Sequence, residues 1–462
     1  MRRLAVLLAV PLCILAAPAT GAPAPREAPA TGLIRAADLM ETVEWLAAPD
    51  LQGRLAGGPG YMAAAREMAD RFRRLGLAPG GEDGFLQRLD VEYEEMDSCA
   101  LALVRPDGSA RELEPGPDFL CRGLTGSGDV TAPVVFAGYG VSRPQDGYDD
   151  YAGLDARGRI VLALKPSPPF RLDSLGWGES TLPRPKARIA AAHGARGLLL
   201  VAAGDREGLT RPIGSVLEGE GPRLEGFPSM MVDVPVAEEL LAGSGPGLAA
   251  LQAAMDSTRR PHSRALATGA RMRVRARYEE RRPSVNVVGV LEGSDPALRG
   301  QAVVVGAHLD HVGAQAGLVF PGANDNASGA AAVLALAEAF ARGGERPRRT
   351  VVFALFSSEE SGLQGAKRFV ERPPVPPGDV VAMLNLDCVG VGDSIQLGSG
   401  RTSPRLWALA RGLDADDDRL SVADTWGGGG ADATPFAERG IPTLYFASRF
   451  SYPHLHLPSD TP

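Results

Sequence analysis

The spacing of apolar and polar residues changes twice along the chain, at about residues 128 and 260. The first part, 33–127, begins with helical spacing, and in 61–76 five apolar side chains share one face ahead of Gly76, where the helix is expected to end. These five are Ala65, Met68, Ala69, Phe72 and Leu75. Between 128 and 259, short apolar runs separated by Gly, Pro and Asp predict strands and turns with one helix. We therefore expect this middle part to be a compact α+β unit.

Strand and helix patterns alternate from residue 260 onward. Residues 272–278 alternate apolar side chains with arginines, which is the period of a half-buried strand. Apolar runs at 303–307 and 351–356 are separated by a helical pattern at 327–342. This alternation predicts an α/β fold with a mixed, largely parallel sheet covered by helices on both faces. Residues 33–127 and 260–462 would form that domain, with 128–259 inserted into it.

The first residues have the pattern of a secretory signal peptide. Arg2 and Arg3 precede an apolar run over 4–18 that contains prolines and is too short to span a bilayer, and small residues follow. Cleavage is expected after Ala19, so that 1–19 is the signal peptide, with a cut after Ala22 as the alternative. An uncleaved N-terminal anchor is a further alternative. We expect a secreted or periplasmic protein with no stable membrane anchor after processing.

Composition narrows the possible ligands. Apolar residues make up 44% of the chain and charged residues 23%, as in ordinary globular proteins. The net charge is −8, so nucleic acid is not expected as a ligand. Export permits disulfides, and Cys99 and Cys121, which are 22 residues apart, are the natural pair. Spacing alone leaves the geometry of that pair open.

Acidic and imidazole side chains occur at the ends of the predicted strands. Six such residues follow one another in the chain: His308, Asp325, Glu359, Glu360, Asp387 and His456. Five of them follow an apolar run that is predicted to be a strand, and Asp325 comes just before a predicted helix. Ligands of open α/β sheets bind beyond the carboxyl ends of the strands, so these side chains could converge on one edge.

The residue types fit a site for two metal ions. Imidazole and carboxylate are the ligands of catalytic zinc, and two ions about 3.5–4 Å apart need a carboxylate that bridges them. Glu359 and Glu360 could divide two roles, one bound to metal and the other free as a base. Asp310, two residues after His308, could accept a hydrogen bond from the second imidazole nitrogen and fix the tautomer.

Each fragment has a simpler explanation when it is taken alone. His308 with Asp310 could be a surface pair, Asp325 could cap a helix, and two adjacent glutamates could form a solvated turn. His456 with His454 could be a chance cluster. The occurrence of all the fragments in a consistent order is what favours a metal site.

Five motifs resemble those of the secreted dizinc aminopeptidases of metallopeptidase family 28, which also includes relatives of glutamate carboxypeptidase. They are GAHLDHVG, GANDNASG, SSEESG, LNLDCVG and HLPSDTP. The 128–259 segment, with VVFAGYG and AAAHGARGLLLV, is similar to the protease-associated domain of many members. The resemblance covers nearly the whole chain after the signal peptide, and the motifs together are highly specific.

The resemblance implies a ligand set for two zinc ions. It comprises His308, Asp325, Glu360, Asp387 and His456. Asp325 would bridge the ions, His308 and Asp387 would complete one site, and Glu360 and His456 the other. His456 is chosen over His454 because only His456 lies in the motif.

The resemblance also implies roles for residues that do not bind metal. Glu359 would be the general base, and Asp310 would orient His308. Asp432, in GADATPF, resembles a position behind the ligands, although Ala431 departs from the serine more usual there.

The function that the resemblance implies is an exported zinc aminopeptidase acting on peptides with a free N-terminus. The zinc pair would acidify a water and polarise the peptide carbonyl, and Glu359 would carry the proton to the leaving amine. The alternatives are a dizinc carboxypeptidase or aminoacylase, or a non-catalytic binding relative. The position of the insert before His308 favours the aminopeptidase arrangement. The sequence ends at Pro462, where members usually continue into a closing helix; a truncated chain and an unusually short chain are both compatible with this end.

Overall fold

The computed structural model describes most of the chain beyond its first thirty residues. It covers residues 31–462 except 122, 124, 171–176, 178–181, 203–211, 216–218, 220, 345, 414–423 and 450–451. The signal peptide expected at 1–19 lies outside the described residues.

The described part contains nine α-helices. In chain order they are α1 (Ala36–Leu46), α2 (Pro59–Arg74), α3 (Pro183–Ala192), α4 (Val234–Leu241), α5 (Leu248–Thr258), α6 (Gly329–Arg342), α7 (Gln364–Glu371), α8 (Pro404–Leu413) and α9 (Thr434–Glu438). Helix α2 shows why they form. Pro59 occupies the first turn, where its missing N–H is not needed, and arginines occupy the last turn, where they stabilise the helix dipole. Four residues of the predicted apolar face are buried and Leu75 is half-buried, and the helix ends before Gly76, which has a φ of 76°.

Eighteen strands are found in the same described ranges. They are β1 (Ala78–Pro79), β2 (Leu86–Val104), β3 (Ala110–Glu112), β4 (Phe119–Cys121), β5 (Gly128–Phe136), β6 (Ser142–Arg143), β7 (Tyr148–Asp149), β8 (Ile160–Leu164), β9 (Gly197–Val201), β10 (Ser229–Val232), β11 (Arg264–Leu291), β12 (Ala302–His308), β13 (Ala314–Gln315), β14 (Leu318–Val319), β15 (Thr350–Phe356), β16 (Val380–Leu386), β17 (Ile395–Gly398) and β18 (Thr443–Ser448).

One sheet runs through the molecule, and its strand order is β17-β18-β16-β12-β15-β11-β5-β8-β9-β10-β4. Strands β18, β16, β12 and β15 are parallel neighbours, whereas β17 and β11 pair antiparallel at either end of this group. The predicted mixed, largely parallel sheet is therefore confirmed.

Strand β15 shows how both faces of this sheet are covered. Val351, Phe353 and Leu355 pack with α1, α2 and α6, while Val352 and Phe356 point the other way and pack with α7 and α9. Successive side chains of a strand lie on opposite faces, so a strand that is buried on both sides must be apolar throughout. All seven residues of β15 are buried.

The long strand β11 connects the two parts of the sheet. Its last residues pair with β15, its first residues pair with β5, and β2 pairs with it along most of its length. Beyond β5, strands β8, β9 and β10 continue in parallel and pack against α4 and α5. Residues 128–259 therefore contain strands and helices with one apolar cluster of their own. A second cluster is shared with residues of β2, β4 and β11, and the segment is joined to the rest through the pairing of β5 with β11 and of β10 with β4.

The three cysteines of the described region carry free thiols, at Cys99, Cys121 and Cys388. The disulfide expected between Cys99 and Cys121 is not formed, although the two thiols are close enough to hydrogen-bond. The spacing identified two cysteines that do lie close together, but no disulfide bond joins them. Within the described ranges, no helix combines the length and the apolar character needed to cross a bilayer.

Candidate metal centre

The predicted ligands lie at the carboxyl ends of adjacent parallel strands. His308 is the last residue of β12, Asp387 follows β16 directly, and Glu359 and Glu360 come soon after β15. Because these strands are parallel neighbours, their ends meet at one edge of the sheet. Strand direction thus places side chains that are up to 79 residues apart within reach of one another.

Asp325 lies at the centre of the cluster, in the turn Ala323–Ser328 that leads into α6. Its Oδ1 is 3.3 Å from Nε2 of His308, and its Oδ2 is 3.0 Å from Nε2 of His456. The carboxylate of Asp460 accepts the backbone N–H groups of Asn324 and Asp325 at 2.8 and 3.1 Å. The two oxygens of Asp325 are therefore held facing two different histidines.

Two sets of ligand atoms share Asp325. The His308 group consists of His308, Asp325 and Asp387, and the His456 group consists of His311, Asp325, Glu360 and His456. Within each group the possible ligand atoms lie within 4.8 Å of one another. In the first, Asp387 Oδ1 is 3.4 Å from His308 Nε2; in the second, Glu360 Oε2 is 3.1 Å from His456 Nε2. All five predicted ligands are thus brought together, whereas His454 is exposed and contacts Ser459.

His311 is a member of the cluster that was not among the predicted ligands. It is fully buried, and its Nδ1–H donates to Oε1 of Glu360 at 2.7 Å. The same nitrogen is 3.7 Å from Oδ2 of Asp325. The second imidazole of GAHLDHVG was the available signal, but a histidine next to a ligand motif does not reveal which way its ring points.

Asp310 makes a different contact from the one expected. The Nδ1–H of His308 donates to the backbone carbonyl of Asp310 at 3.1 Å, and the carboxylate is 3.9 Å away. That carboxylate instead accepts the backbone N–H groups of Glu359 and Glu360, at 3.1 and 3.3 Å. The expected hydrogen bond from the His308 ring to the Asp310 side chain is therefore not formed, and the carboxylate holds the backbone of the neighbouring loop instead.

The two adjacent glutamates have opposite electrostatic environments. Burial raises the pKa of Glu359 well above its usual range, and the positive field of His308 only partly offsets this effect. Burial also acts to raise the pKa of Glu360, but His456 and the hydrogen bond from His311 outweigh it and lower that pKa to about 2. Glu360 is thus held as an anion among the histidines. Glu359 belongs to neither ligand group and is partly exposed to a cleft.

The donor set suits a divalent cation. Asp325, Glu360 and Asp387 are buried, and in the described part of the chain their ion-pair partners are histidines rather than Lys or Arg. Tyr445 adds a hydroxyl that donates to Asp387 at 3.2 Å. Buried carboxylates are costly unless they are paired or bind metal, and mixed imidazole and carboxylate sets are typical of zinc. The residues therefore fit a metal site.

Asp432 lies behind the ligands and is fully buried, with neither carboxylate oxygen hydrogen-bonded in the described structure. Burial raises its pKa well above its usual range, His308 opposes that rise, and Asp310 and Asp387 add to it. The charges of His308, Asp310 and Asp387 thus act on Asp432, and its role behind the ligands stays a prediction.

A cleft of about 1630 Å³ opens onto the cluster. One wall carries the predicted ligands and Glu359, and another is contributed by the 128–259 segment, including Arg184 and Arg223. These arginines pair with Glu92 and Glu94, at 3.1 and 3.0 Å. The cleft is large enough for several residues of an extended chain.

Comparison with known proteins identifies the part of the chain that holds this cluster. Residues 286–462 match the model of peptidase family M28. The match covers less than half of the chain, and over these residues the chain is similar to peptidase family M28. The resemblance given by the five motifs is thereby confirmed, and this M28 region contains all the predicted ligands.

The curated proteins that this chain resembles include both aminopeptidases and probable glutamate carboxypeptidases. An aminopeptidase of Pseudomonas aeruginosa is 26% identical over 76% of this chain and 56% of its own length. A probable glutamate carboxypeptidase of Arabidopsis thaliana, AMP1, is 28% identical over 65% of this chain and 44% of its own. The leupeptin-inactivating enzyme 1 of Streptomyces exfoliatus is 31% identical over 34% of each chain. The chain thus spans about a third to just over half the length of these relatives.

Solved structures share this fold over nearly the whole chain. An aminopeptidase from Aneurinibacillus sp. strain AM-1 aligns over 94% of this chain and 90% of its own, with a TM-score of 0.63 and 22% identity. A peptidase M28 precursor from Shewanella amazonensis SB2B covers 94% and 89%, with a TM-score of 0.66 and 18% identity. At these identities the likeness concerns the fold.

Proposed function

We propose that this protein is a dizinc aminopeptidase. The observation that carries the proposal is the orientation of Asp325, whose two oxygens face the His308 group and the His456 group separately. A carboxylate shared in this way is what a pair of metal ions requires. The match of residues 286–462 to a peptidase family supports the hydrolysis of peptide bonds.

Each ion would be held by one group. His308 and Asp387 would bind one ion, Glu360 and His456 the other, and Asp325 both. Zinc, when bound there, supplies an acidified water and a polarised substrate carbonyl. The protein contributes the fixed positions of the ligands, because the Nδ1–H of His308 is committed to a backbone carbonyl and its Nε2 faces the carboxylates.

Glu359 is the group that moves the proton. It lines the cleft beside the cluster but belongs to neither ligand group, so its carboxylate remains free to accept a proton from the attacking water. In the metal-free protein, burial raises the pKa of Glu359, which is the direction that makes a carboxylate a stronger base. Its backbone N–H is fixed by Asp310, so the loop that carries it is held in place.

Preference for a free N-terminus is supported by the name of one relative, which is an aminopeptidase. It is also supported by two arginines of the cleft lining, Arg184 and Arg223, whose guanidinium groups are already paired with Glu92 and Glu94 rather than available to a C-terminal carboxylate. Carboxypeptidase or aminoacylase activity is the second candidate, which the names of some relatives favour.

We also propose that residues 128–259 are an inserted protease-associated domain and that the protein is exported. The inserted domain rests on the strands of this segment, on the apolar cluster that lies wholly within it, and on its motifs. Export rests on the basic and apolar pattern of residues 1–19. N-terminal sequencing of the protein recovered from the producing cells would test the cut after Ala19.

The Glu359→Gln variant tests the mechanism. It should keep both zinc ions, measured by elemental analysis, while kcat falls by roughly 10²- to 10⁴-fold, the usual contribution of general acid–base catalysis. Glu371→Gln, an exposed change at the end of α7, is the matched control and should leave kcat unchanged. Near-normal kcat in Glu359→Gln would show that another group is the base.

The substrate class is tested with three versions of one peptide. The zinc-loaded protein should cleave the free and the C-amidated peptides from the N-terminus and leave the N-acetylated peptide intact, with products identified by mass spectrometry. Equal cleavage of the acetylated peptide would exclude an aminopeptidase. Release of the C-terminal residue would favour the carboxypeptidase.

A further inference from the structure

A short loop of the 128–259 segment contacts His456, which is one of the predicted metal ligands. The Nδ1–H of His456 donates to the backbone carbonyl of Gly214 at 3.0 Å, across 242 residues of sequence. The N–H of Gly214 donates in return to the backbone carbonyl of His456 at 2.9 Å. These two hydrogen bonds fix both the main chain and the ring of His456 against one glycine.

The neighbours of Gly214 extend the contact on both sides. Ile213 is buried in a small apolar cluster against which Leu457, the residue after His456, packs. The carbonyl of Ser215 accepts the N–H of Gly123 at 2.9 Å, which ties the other end of the loop down. Three successive residues of this loop, Ile213, Gly214 and Ser215, are therefore each held by a contact with another part of the chain.

Gly214 is also packed against the loop that follows His308. A Cβ at this position would lie 2.8 Å from Cε1 of Phe320 and 3.0 Å from Cγ2 of Val312. Both of those side chains are buried in one apolar cluster, so neither can withdraw freely. The glycine thus lies between two ligand-bearing loops, with no room for a side chain.

We propose that residues 212–215 are part of the metal centre, with the Gly214 carbonyl as the group that positions His456. This rests on the proposed dizinc site. With its Nδ1–H committed to Gly214, the ring presents Nε2 to Asp325 and Glu360, at 3.0 and 3.1 Å. The His308 group has its own backbone partner, the Asp310 carbonyl, and receives no hydrogen bond from this loop in the described structure. Residues 212–215 therefore support one ion of the pair and not the other.

The Gly214→Ala variant of the full-length chain is the direct test. The added methyl group should push the carbonyl away from His456 and raise the zinc dissociation constant of the His456 group by about 10- to 100-fold, the usual effect of losing the partner behind a metal-bound histidine. The constant of the His308 group should stay within a factor of about two. Both are measured by zinc titration against a competing chelator, and His456→Ala and Asp387→Ala show which constant belongs to which group.

Three further variants make the result specific. Phe320→Leu combined with Gly214→Ala removes the atom that the methyl group would meet and should restore part of the affinity. Gly300→Ala has open space around its Cβ and should change neither constant. If Gly214→Ala does not fold, as judged by circular dichroism, Ile213→Ala takes its place: loss of packing against Leu457 should weaken the His456 group alone.

The outcomes separate this inference from the function on which it rests. A folded Gly214→Ala or Ile213→Ala protein with both zinc constants unchanged, or with both weakened equally, would overturn the positioning role while the dizinc proposal stands. A wild-type chain that binds one zinc ion would overturn the dizinc proposal. The positioning role would then be decided by whether Gly214→Ala weakens that ion when His456→Ala also does.

Discussion

Replacement of Arg54 by methionine should destabilise the protein by about 3–5 kcal/mol, although Arg54 lies outside the region that matches the family model. Its guanidinium is completely buried and donates to four backbone carbonyls. These belong to Leu46 at 2.6 Å, Leu309 at 2.9 Å, Pro321 at 2.7 Å and Gly322 at 2.8 Å. One side chain therefore joins the end of α1 to the loop after His308 and to the turn before Asp325.

The magnitude follows from these four hydrogen bonds. Hydrogen bonds from a charged donor contribute about 1.5–3 kcal/mol each, so four set an upper range of about 6–12 kcal/mol. Loss of the buried charge also removes its desolvation cost, and water can reach some of the freed carbonyls. The net value should therefore be near the roughly 3–5 kcal/mol seen when one partner of a buried ionic arrangement is removed. Burial lowers the pKa of Arg54 to about 10, so the guanidinium is charged at neutral pH.

Urea unfolding of the zinc-free protein measures the loss in the free energy of unfolding. Arg54→Lys keeps the charge but cannot reach all four acceptors, so it should recover only part of the loss. Arg74→Met, at an exposed arginine of α2, is the control and should change the free energy of unfolding by less than about 0.5 kcal/mol. A loss below about 1 kcal/mol in a folded Arg54→Met protein would show that the four carbonyls find other partners and would refute this reasoning.

Three further predictions concern the metal centre. Asp325→Ala should lower the zinc content of both ligand groups, and elemental analysis that finds two ions in this variant would exclude the bridging role. His311→Leu should weaken zinc binding in the His456 group by about 10-fold through loss of the hydrogen bond to Glu360, and an unchanged chelator titration would argue against that role. Burial by itself lowers the pKa of His308 and of His456, but carboxylates, chiefly Asp387 and Glu360, raise both well above the usual value. The stability that protonation of these rings gives the zinc-free protein is complete below the unfolded pKa of about 6.5 and is lost as the pH rises through the folded pKa. Zinc needs neutral rings, so the rise in Tm caused by zinc should increase between about pH 6 and pH 8, and a rise that is independent of pH in differential scanning calorimetry would contradict the shifts.

The sequence determined the main features of the fold and the members of the predicted ligand set. Apolar runs such as 303–307 and 351–356 form adjacent parallel strands, because a strand that is apolar throughout is stable only in a sheet that is buried on both faces. Polar residues directly after such strands, such as His308 and Asp387, then had to lie at one edge. These inferences were possible because an uninterrupted apolar run indicates a buried strand, and the polar residue that follows it indicates where the strand ends.

The tertiary structure alone decided how the cluster is held in place. The partners of His308, His456 and Arg54 are backbone carbonyls, and for His456 and Arg54 they lie as far as 242 and 268 residues away. Because every residue has a backbone carbonyl, the sequence does not indicate which carbonyl accepts such a hydrogen bond. The same reason explains the error at Asp310, where the carbonyl rather than the carboxylate meets the imidazole. The residue types identified the candidate ligands, but the path of the backbone in space determined the orientation of their side chains.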